Sequence, residues 1–289
     1  MRDVLGEFWA IDSEAGRVKE SNWRSVAEGP ATVVKSYAEL AEHVASLSFF
    51  NPQFNLFYRG QTQDHYRVMR RDSGESCSES PKYSSLMPSI YRNCCGDKLL
   101  KAFDCLKRKE ECLLKEIDKL RERQEGMHER TLYQDTGNFR EIHFAILQHY
   151  GIPTPLLDVT LSLPVACSFA YYDYDKATTG DDPHVYVIAM PGFHGQITFH
   201  GYEGLVIVNL RAACPPKTKR PHHQEAFAIG SVPHTSDITR VKWRDFSHRM
   251  IGKFKIADVG EFWKTAPVHG PFRREHMMPQ EDDFLFKDS

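Results

Sequence analysis

The sequence predicts an α+β fold in which helices gather early and most strands come late. Three observations carry that reading. A capped amphipathic helix and a long charged helix fall before residue 150. Runs with strand character cluster after residue 180. No internal repeat and no regular alternation of strand and helix joins the two groups. The chain has 289 residues, 41% of them hydrophobic, and a net charge of −2. That is an ordinary globular composition, long enough for one decorated domain or two smaller ones. The near-neutral balance argues against a dominant nucleic-acid footprint, while leaving room for local patches.

Residues 1–31 mix Trp9 and Trp23 with charges and have no clear period. They read as a leading strand or an arm that docks on the body. Val33-Val34-Lys35 is a short strand signal. Ser36-Tyr37-Ala38-Glu39 is a capping box, opening a helix from Tyr37 to about Ser46 with Leu40, Val44 and Leu47 on one face. Phe49 to Pro52 reads as loop. Leu56 to Gly60 reads as a buried strand ending in an Arg-Gly turn. Arg59 in that strand is either a surface arginine at an edge or an anion-binding fork. Gly60 would let a ligand or another backbone come close.

Residues 61–82 are polar and read as a long loop. Leu86 to Arg92 is a short ordered segment. Leu99 to about Gln124 is a long helix whose Leu99, Phe103, Leu106, Leu113, Ile117 and Leu120 form a seam broken by Glu110. The seam packs on the body or, less readily, pairs two copies as a short coiled coil. A further helix from about Phe139 to His149 closes at Gly151.

Next comes Gln148-His149-Tyr150-Gly151-Ile152-Pro153-Thr154-Pro155-Leu156-Leu157-Asp158-Val159-Thr160. It reads as a helix end, a turn and a short buried strand, followed by a helix over Ser162–Tyr174. His149, Thr154, Asp158 and Thr160 sit in apolar surroundings, where bare polar groups cost about 1–3 kcal/mol each. The stretch is therefore a polar scaffold or a site. Residues 184–189, 204–210, 224–229 and 253–256 read as strands, with a loop from Ala212 to His222 that carries Lys217, Lys219 and Arg220. Residues 239–250 and 259–264 read as mixed or helical.

Several chemistries are excluded by motif. There is no P-loop, no dinucleotide-binding Gly-x-Gly-x-x-Gly, no Gly-x-Ser-x-Gly elbow and no His-Glu-x-x-His. His222 and His223 are adjacent, and on a strand would point to opposite faces, so no metal is expected. Asp181 and Asp182 read as turn residues. Seven cysteines (77, 94, 95, 105, 112, 167, 214) form no Cys-x-x-Cys pair and read as reduced thiols. No apolar run approaches the roughly 18 residues of a membrane helix, and Met1-Arg2-Asp3-Val4 does not open a signal peptide. A cytoplasmic protein with no membrane partner is expected.

Three segments survive: Tyr58-Arg59-Gly60, the stretch with Asp158 and Thr160, and Arg220 to Phe227 with Gln224 and Glu225. With Phe57 to Gln61, Met87-Pro88-Ser89-Ile90-Tyr91-Arg92, the block 148–160, and Ser162, Pro164, Ala166, Phe169 and Ala170, the sequence resembles the FRG domain family, named for its Phe/Tyr-Arg-Gly motif. The resemblance runs over about 32–286 and carries the long helix 99–124 as an insertion or packed element. It departs from the family at Pro155 and Val159, usually Arg and Trp, and at Glu225 or Ala226, usually Gly.

A looser similarity links the same three segments to arginine-type ADP-ribosyltransferases. It implies an ADP-ribosyltransferase-like split β-sheet core and NAD as co-substrate. The nicotinamide–ribose bond would be cleaved, and ADP-ribose passed to a protein or nucleic acid, or to water. Catalytic roles would fall to Arg59, Thr160, Gln224 and Glu225, with Tyr58, Arg59, Gly60, Tyr66, Tyr150 and Asp158 holding the cofactor. The family's setting implies a defence or toxin-type effector. The alternatives are a non-catalytic nucleotide sensor, an NAD glycohydrolase, or a polar network that only fixes the fold. Association of copies through the 99–124 helix completes the expectations.

Overall fold

In a computed structural model, the described residues are 5–6, 8–68, 82–92, 96–123, 139–171, 183–214, 218–231, 244–266, 271–272 and 277. Expectations on 69–81, 93–95, 124–138, 172–182, 215–217 and 232–243 lie outside them, as does the side chain of Leu120. The chain opens with β1 (Phe8–Ile11), β2 (Val18–Ser21), α1 (Trp23–Glu28), β3 (Thr32–Val34) and α2 (Tyr37–Phe50). It continues through β4 (Asn55–Gln61), β5 (Tyr66–Val68), β6 (Lys82–Ser84), α3 (Ser89–Arg92), α4 (Asp97–Arg123), α5 (Arg140–His149), β7 (Leu156–Thr160) and α6 (Leu163–Ala170). The later elements are β8 (His184–Met190), β9 (Ile197–His200), β10 (Leu205–Asn209), α7 (Leu210–Ala213), α8 (Lys219–His223), β11 (Ala226–Ser231), β12 (Met250–Ile256) and α9 (Val259–Phe262). The protein is α+β, with a mixed sheet and several helices. No helix among the described residues is long and apolar enough to cross a membrane.

The chain divides into two compact units. The first comprises Met1–Leu86, Thr160–Gly192 and Asp245–Phe272. Its strands run in the order β3-β12-β8-β4, with β3 parallel to β12 and the other pairs antiparallel. Its core collects Phe8, Trp23, Leu40, Leu47, Val187 and Phe254. The N-terminal hairpin β1–β2 is tied down by Asn51, whose side chain accepts from the Trp9 N–H and donates to the Trp9 carbonyl. The capping box forms with one difference. Ser36 Oγ accepts from the Glu39 N–H at 3.2 Å, but the Glu39 carboxylate reaches the Lys35 N–H at 2.7 Å. Helix α2 runs to Phe50, through the expected loop at 49, and stops at Asn51, where the following Pro52 disfavours further helix.

Gly60 on β4 is a packing glycine. A Cβ there would overlap the Ala166 carbonyl oxygen and lie 2.7 Å from the Ala170 nitrogen. The backbone of α6 thus takes the room that the sequence reading offered to a ligand or a backbone. The expected loop after β4 begins and ends as a two-stranded ribbon, β5 against β6.

The second unit comprises Met87–Val159, Phe193–Arg244 and Arg273–Ser289. Its strand order is β7-β11-β10-β9. The expected strand over 204–210 is β10, and its hairpin partner β9, reached through a turn at Gly201–Gly204, has too short a pattern to be read from sequence. The α4 seam is buried within this unit, with Leu99, Phe103 and Leu106 in a core shared with Ile142, Phe144 and Val208. Glu110, which breaks the apolar seam, is buried too. Its carboxylate accepts from Arg140 Nε at 2.6 Å and His143 Nδ1 at 3.0 Å, both on α5. Gly151, at φ +92°, is the C′ residue of α5, a conformation that glycine adopts without penalty.

Two predictions follow from these contacts. Gly60→Ala forces the α6 backbone away from β4 and costs about 3 kcal/mol or more, read as a fall in midpoint by chemical denaturation. Burial pushes the Glu110 carboxyl up, but bonds from His143 and Arg140 overcome this and hold it below its ordinary value. Its stabilisation is therefore complete above the unfolded glutamate range, near about 4.3. It is lost as pH falls through the depressed folded value. Glu110→Gln costs about 2 kcal/mol at pH 7, and denaturation at stepped pH shows the gap to wild type closing below pH of about 4.

Candidate functional site

Strand alternation gives β4 two unlike faces. Tyr58 and Gly60 point to the side where α6 lies, Tyr58 packing on the core of the first unit and Gly60 under the helix backbone. Arg59 points to the other side. There it stands directly opposite Tyr186 of β8, and Tyr186 stands opposite Lys253 of β12. The next row on the same face is Gln61 on β4, His184 on β8 and Lys255 on β12. Two adjacent cross-strand rows therefore carry Arg59, Tyr186 and Lys253, then Gln61, His184 and Lys255. A sheet face that would ordinarily be apolar is polar and cationic here.

A buried carboxylate lies against this face. Asp64, in the turn after β4, accepts from Tyr186 Oη at 2.9 Å and from Ser84 Oγ at 2.7 Å. Lys253 Nζ lies 3.6 Å from the same carboxylate, donates to Ser84 Oγ at 2.8 Å, and reaches the Ala27 carbonyl at 3.3 Å. Both charged side chains are almost fully buried. Burial lowers the Lys253 ammonium from its ordinary value, with Asp64 opposing the shift. Burial first, then Asp64, raises the Tyr186 phenol, so it stays a donor. Tyr66 also raises it, and Arg59 lowers it. His184 stacks on Tyr186 with ring centroids 6.1 Å apart.

The first unit thus carries Tyr58, Arg59, Gly60, Thr160 and Tyr66 but divides them: Thr160, opposite Tyr58, shares the Tyr58 face of the sheet and not the Arg59 face. Thr160 is the register partner of Tyr58, and its Oγ1 accepts from the Ser162 N–H at 3.0 Å, where the chain turns into α6. Gln61, Asp64, His184, Tyr186 and Lys253 were missed. Their only sequence signal is the register of a long-range pairing, which no local pattern reveals.

The second unit organises the other predicted residues. Gln148 is a hub. Its Oε1 accepts from Ser89 Oγ, the Thr154 N–H and Thr154 Oγ1, and its Nε2 donates to Asp158 Oδ2 at 3.2 Å. The Arg220 guanidinium lies over the Tyr150 ring, 5.7 Å from its centroid. Buried His149 packs edge-on to Tyr150 at 5.9 Å. Burial, and then the Arg220 charge, hold the His149 imidazole well below its ordinary value, so it stays neutral.

Gln224 and Glu225 do not lie on a strand, as the sequence suggested. Thr218 opens α8, and Pro221 is tolerated in its first turn, where its missing N–H would find no helical partner. Gln224 is the C-cap and Glu225, at φ +43°, ends the helix before β11 begins. Glu225 is the only non-glycine residue in the left-handed region among the described residues, a conformation that suits glycine. Gln224 is buried and its Nε2 donates to the Met277 carbonyl. The Glu225 carboxylate is solvent-exposed, with Arg211 Nη1 at 3.3 Å. In this unit β11 is the sheet neighbour of β7.

The fold and the patch define a class, an α+β protein that presents Arg59 on a cationic sheet face while its flanking Tyr58 and Gly60 pack a helix behind. The family follows from comparison: residues 54–179 match the FRG domain family, and the chain carries an FRG domain over that span. No curated protein and no solved structure matches the chain.

Because Glu225 sits where a glycine is relaxed, Glu225→Gly raises stability by about 1 kcal/mol, read as a higher melting temperature.

Proposed function

We propose that this protein is an NAD-dependent ADP-ribosyltransferase-like enzyme that cleaves the nicotinamide–ribose bond and passes ADP-ribose to a macromolecular acceptor, a protein or nucleic acid. The observation that carries the reading is the coupling of its first two motif blocks. Tyr58, beside Arg59, pairs with Thr160, and the chain from Thr160 runs straight into the helix whose backbone covers Gly60. The third block supports it from the second unit, where Gln224 and Glu225 lead into the strand beside β7.

The residues on the Arg59 face suit a phosphorylated co-substrate. Arg59 supplies a planar fork for a phosphate, and Lys255 in the next row adds positive potential. Gln61 Oε1 is buried and accepts no hydrogen bond, so the face also holds an acceptor for a hydroxyl or amide. Tyr66, exposed at the rim, offers a ring for stacking. In the reaction the C1′–N bond breaks, its electron pair leaves with nicotinamide, and positive charge spreads over the ribose. A carboxylate steadies that charge. The acceptor's lone pair then forms the new bond to C1′ and releases a proton.

A second reading is a nucleotide-binding module without turnover. It is favoured by one observation: the Gln224 amide is engaged by Met277, and the Glu225 carboxylate by Arg211. A defence or toxin-type effector role belongs with the first reading.

Labelled NAD incubated with the protein and a cell lysate decides between them. Transfer of label to protein or nucleic acid, with nicotinamide released, is the expected result. NAD binding by calorimetry with no nicotinamide release selects the binding module. Arg59→Ala weakens NAD binding about tenfold to a hundredfold while the protein still melts cooperatively. Unchanged affinity in that variant refutes the role given to Arg59.

A further inference from the structure

We infer that Gln61 is a ligand-contacting residue, whose side-chain carbonyl accepts a hydrogen bond from a hydroxyl or amide on the molecule that places its anionic group on Arg59. The inference rests on the Arg59 reading above and adds the ligand's second point of attachment.

Gln61 is only 8% exposed, and its Oε1 has no hydrogen-bond partner. Buried side-chain acceptors are nearly always bonded, so each exception calls for an explanation. Two donors on the same face are committed elsewhere. The Tyr186 hydroxyl goes to Asp64, and the Lys253 ammonium goes to Ser84 and the Ala27 carbonyl. The residue belongs to the same strand face as Arg59, two positions along. Two residues of antiparallel strand span about 7 Å. A ligand that meets both groups therefore carries a negative group and a hydrogen-bond donor separated by a comparable distance. A phosphorylated ribose has that layout, with phosphate at one end and ring hydroxyls at the other. Inorganic pyrophosphate has the charge without the donor-bearing sugar. Gln61 is thus the element that separates a nucleotide from a bare anion on this face.

The test is calorimetric titration of the full chain with NAD and, separately, with inorganic pyrophosphate. The variants are Arg59→Ala, Gln61→Met and Gln61→Asn. Arg59→Ala weakens both probes. Gln61→Met, which keeps the length of the side chain without its carbonyl, weakens NAD about three- to tenfold and leaves pyrophosphate unchanged. Gln61→Asn, which withdraws the carbonyl by one methylene, does the same. The inference is overturned if both glutamine variants lose the two probes equally, if neither changes NAD affinity, or if both fail to fold, since Gln61 then serves the fold alone. NAD affinity that survives in Arg59→Ala instead removes the Arg59 reading, and the inference with it. Wild-type protein that binds neither probe has the same consequence.

Discussion

Lys253 and Arg59 occupy one cross-strand row of a sheet face, with Tyr186 between them, and Lys255 follows in the next row. A buried lysine without a counter-charge is among the most costly things a fold can contain. Asp64 removes that cost with one carboxylate that takes a hydrogen bond from Tyr186, another from Ser84, and the charge of Lys253. It is held by a turn just past β4, and Ser84 belongs to β6. The β5–β6 ribbon, the middle strand β8 and the inner strand β12 are therefore fastened at one point. Arg59 and Lys255 belong to the same face. The Asp64 carboxylate is thus committed to the structural lysine, on the face that also carries Arg59.

The second unit solves a similar problem with neutral groups. Gln148 serves a helix end, a turn and a strand at once, through Ser89, Thr154 and Asp158. An amide suits this work because it both donates and accepts. Glu110 follows the first unit's logic instead, with a carboxylate placed between an arginine and a histidine at a helix–helix contact. In both units the polar residues inside apolar surroundings hold secondary structures to one another.

Local chemistry was legible in the sequence wherever the cause was local. The Ser36 cap, the Gly151 helix stop, the helix over 140–149 and the strand through Arg59 are each dictated by neighbours within a few positions. The turn at Glu225 was misread because Ala226–Ile229 has strand character and Gln224-Glu225 adjoins it without a glycine or asparagine to mark the break. The cationic face was not legible. Lys253 and Tyr186 lie far from Arg59 in sequence, and only the register of β4, β8 and β12 puts them beside it. The seven-residue strand β8 is buried throughout and reads as continuous apolar chain, so Tyr186 looked like core rather than site.

The alternation of β4 also bears on what its signature can tell a reader of other sequences. In Tyr58-Arg59-Gly60 the first and third residues serve the interface with α6, and the middle one faces away from it. Possession of the tripeptide is therefore evidence of architecture: a strand that a helix backbone can approach closely enough to need a glycine. Chemistry is written elsewhere, in the partners that surround the middle residue, and those are scattered over β8, β12 and the turn at Asp64. Two proteins can share the signature and differ in activity. Sorting them requires comparing the residues opposite the arginine, not the motif that announces it.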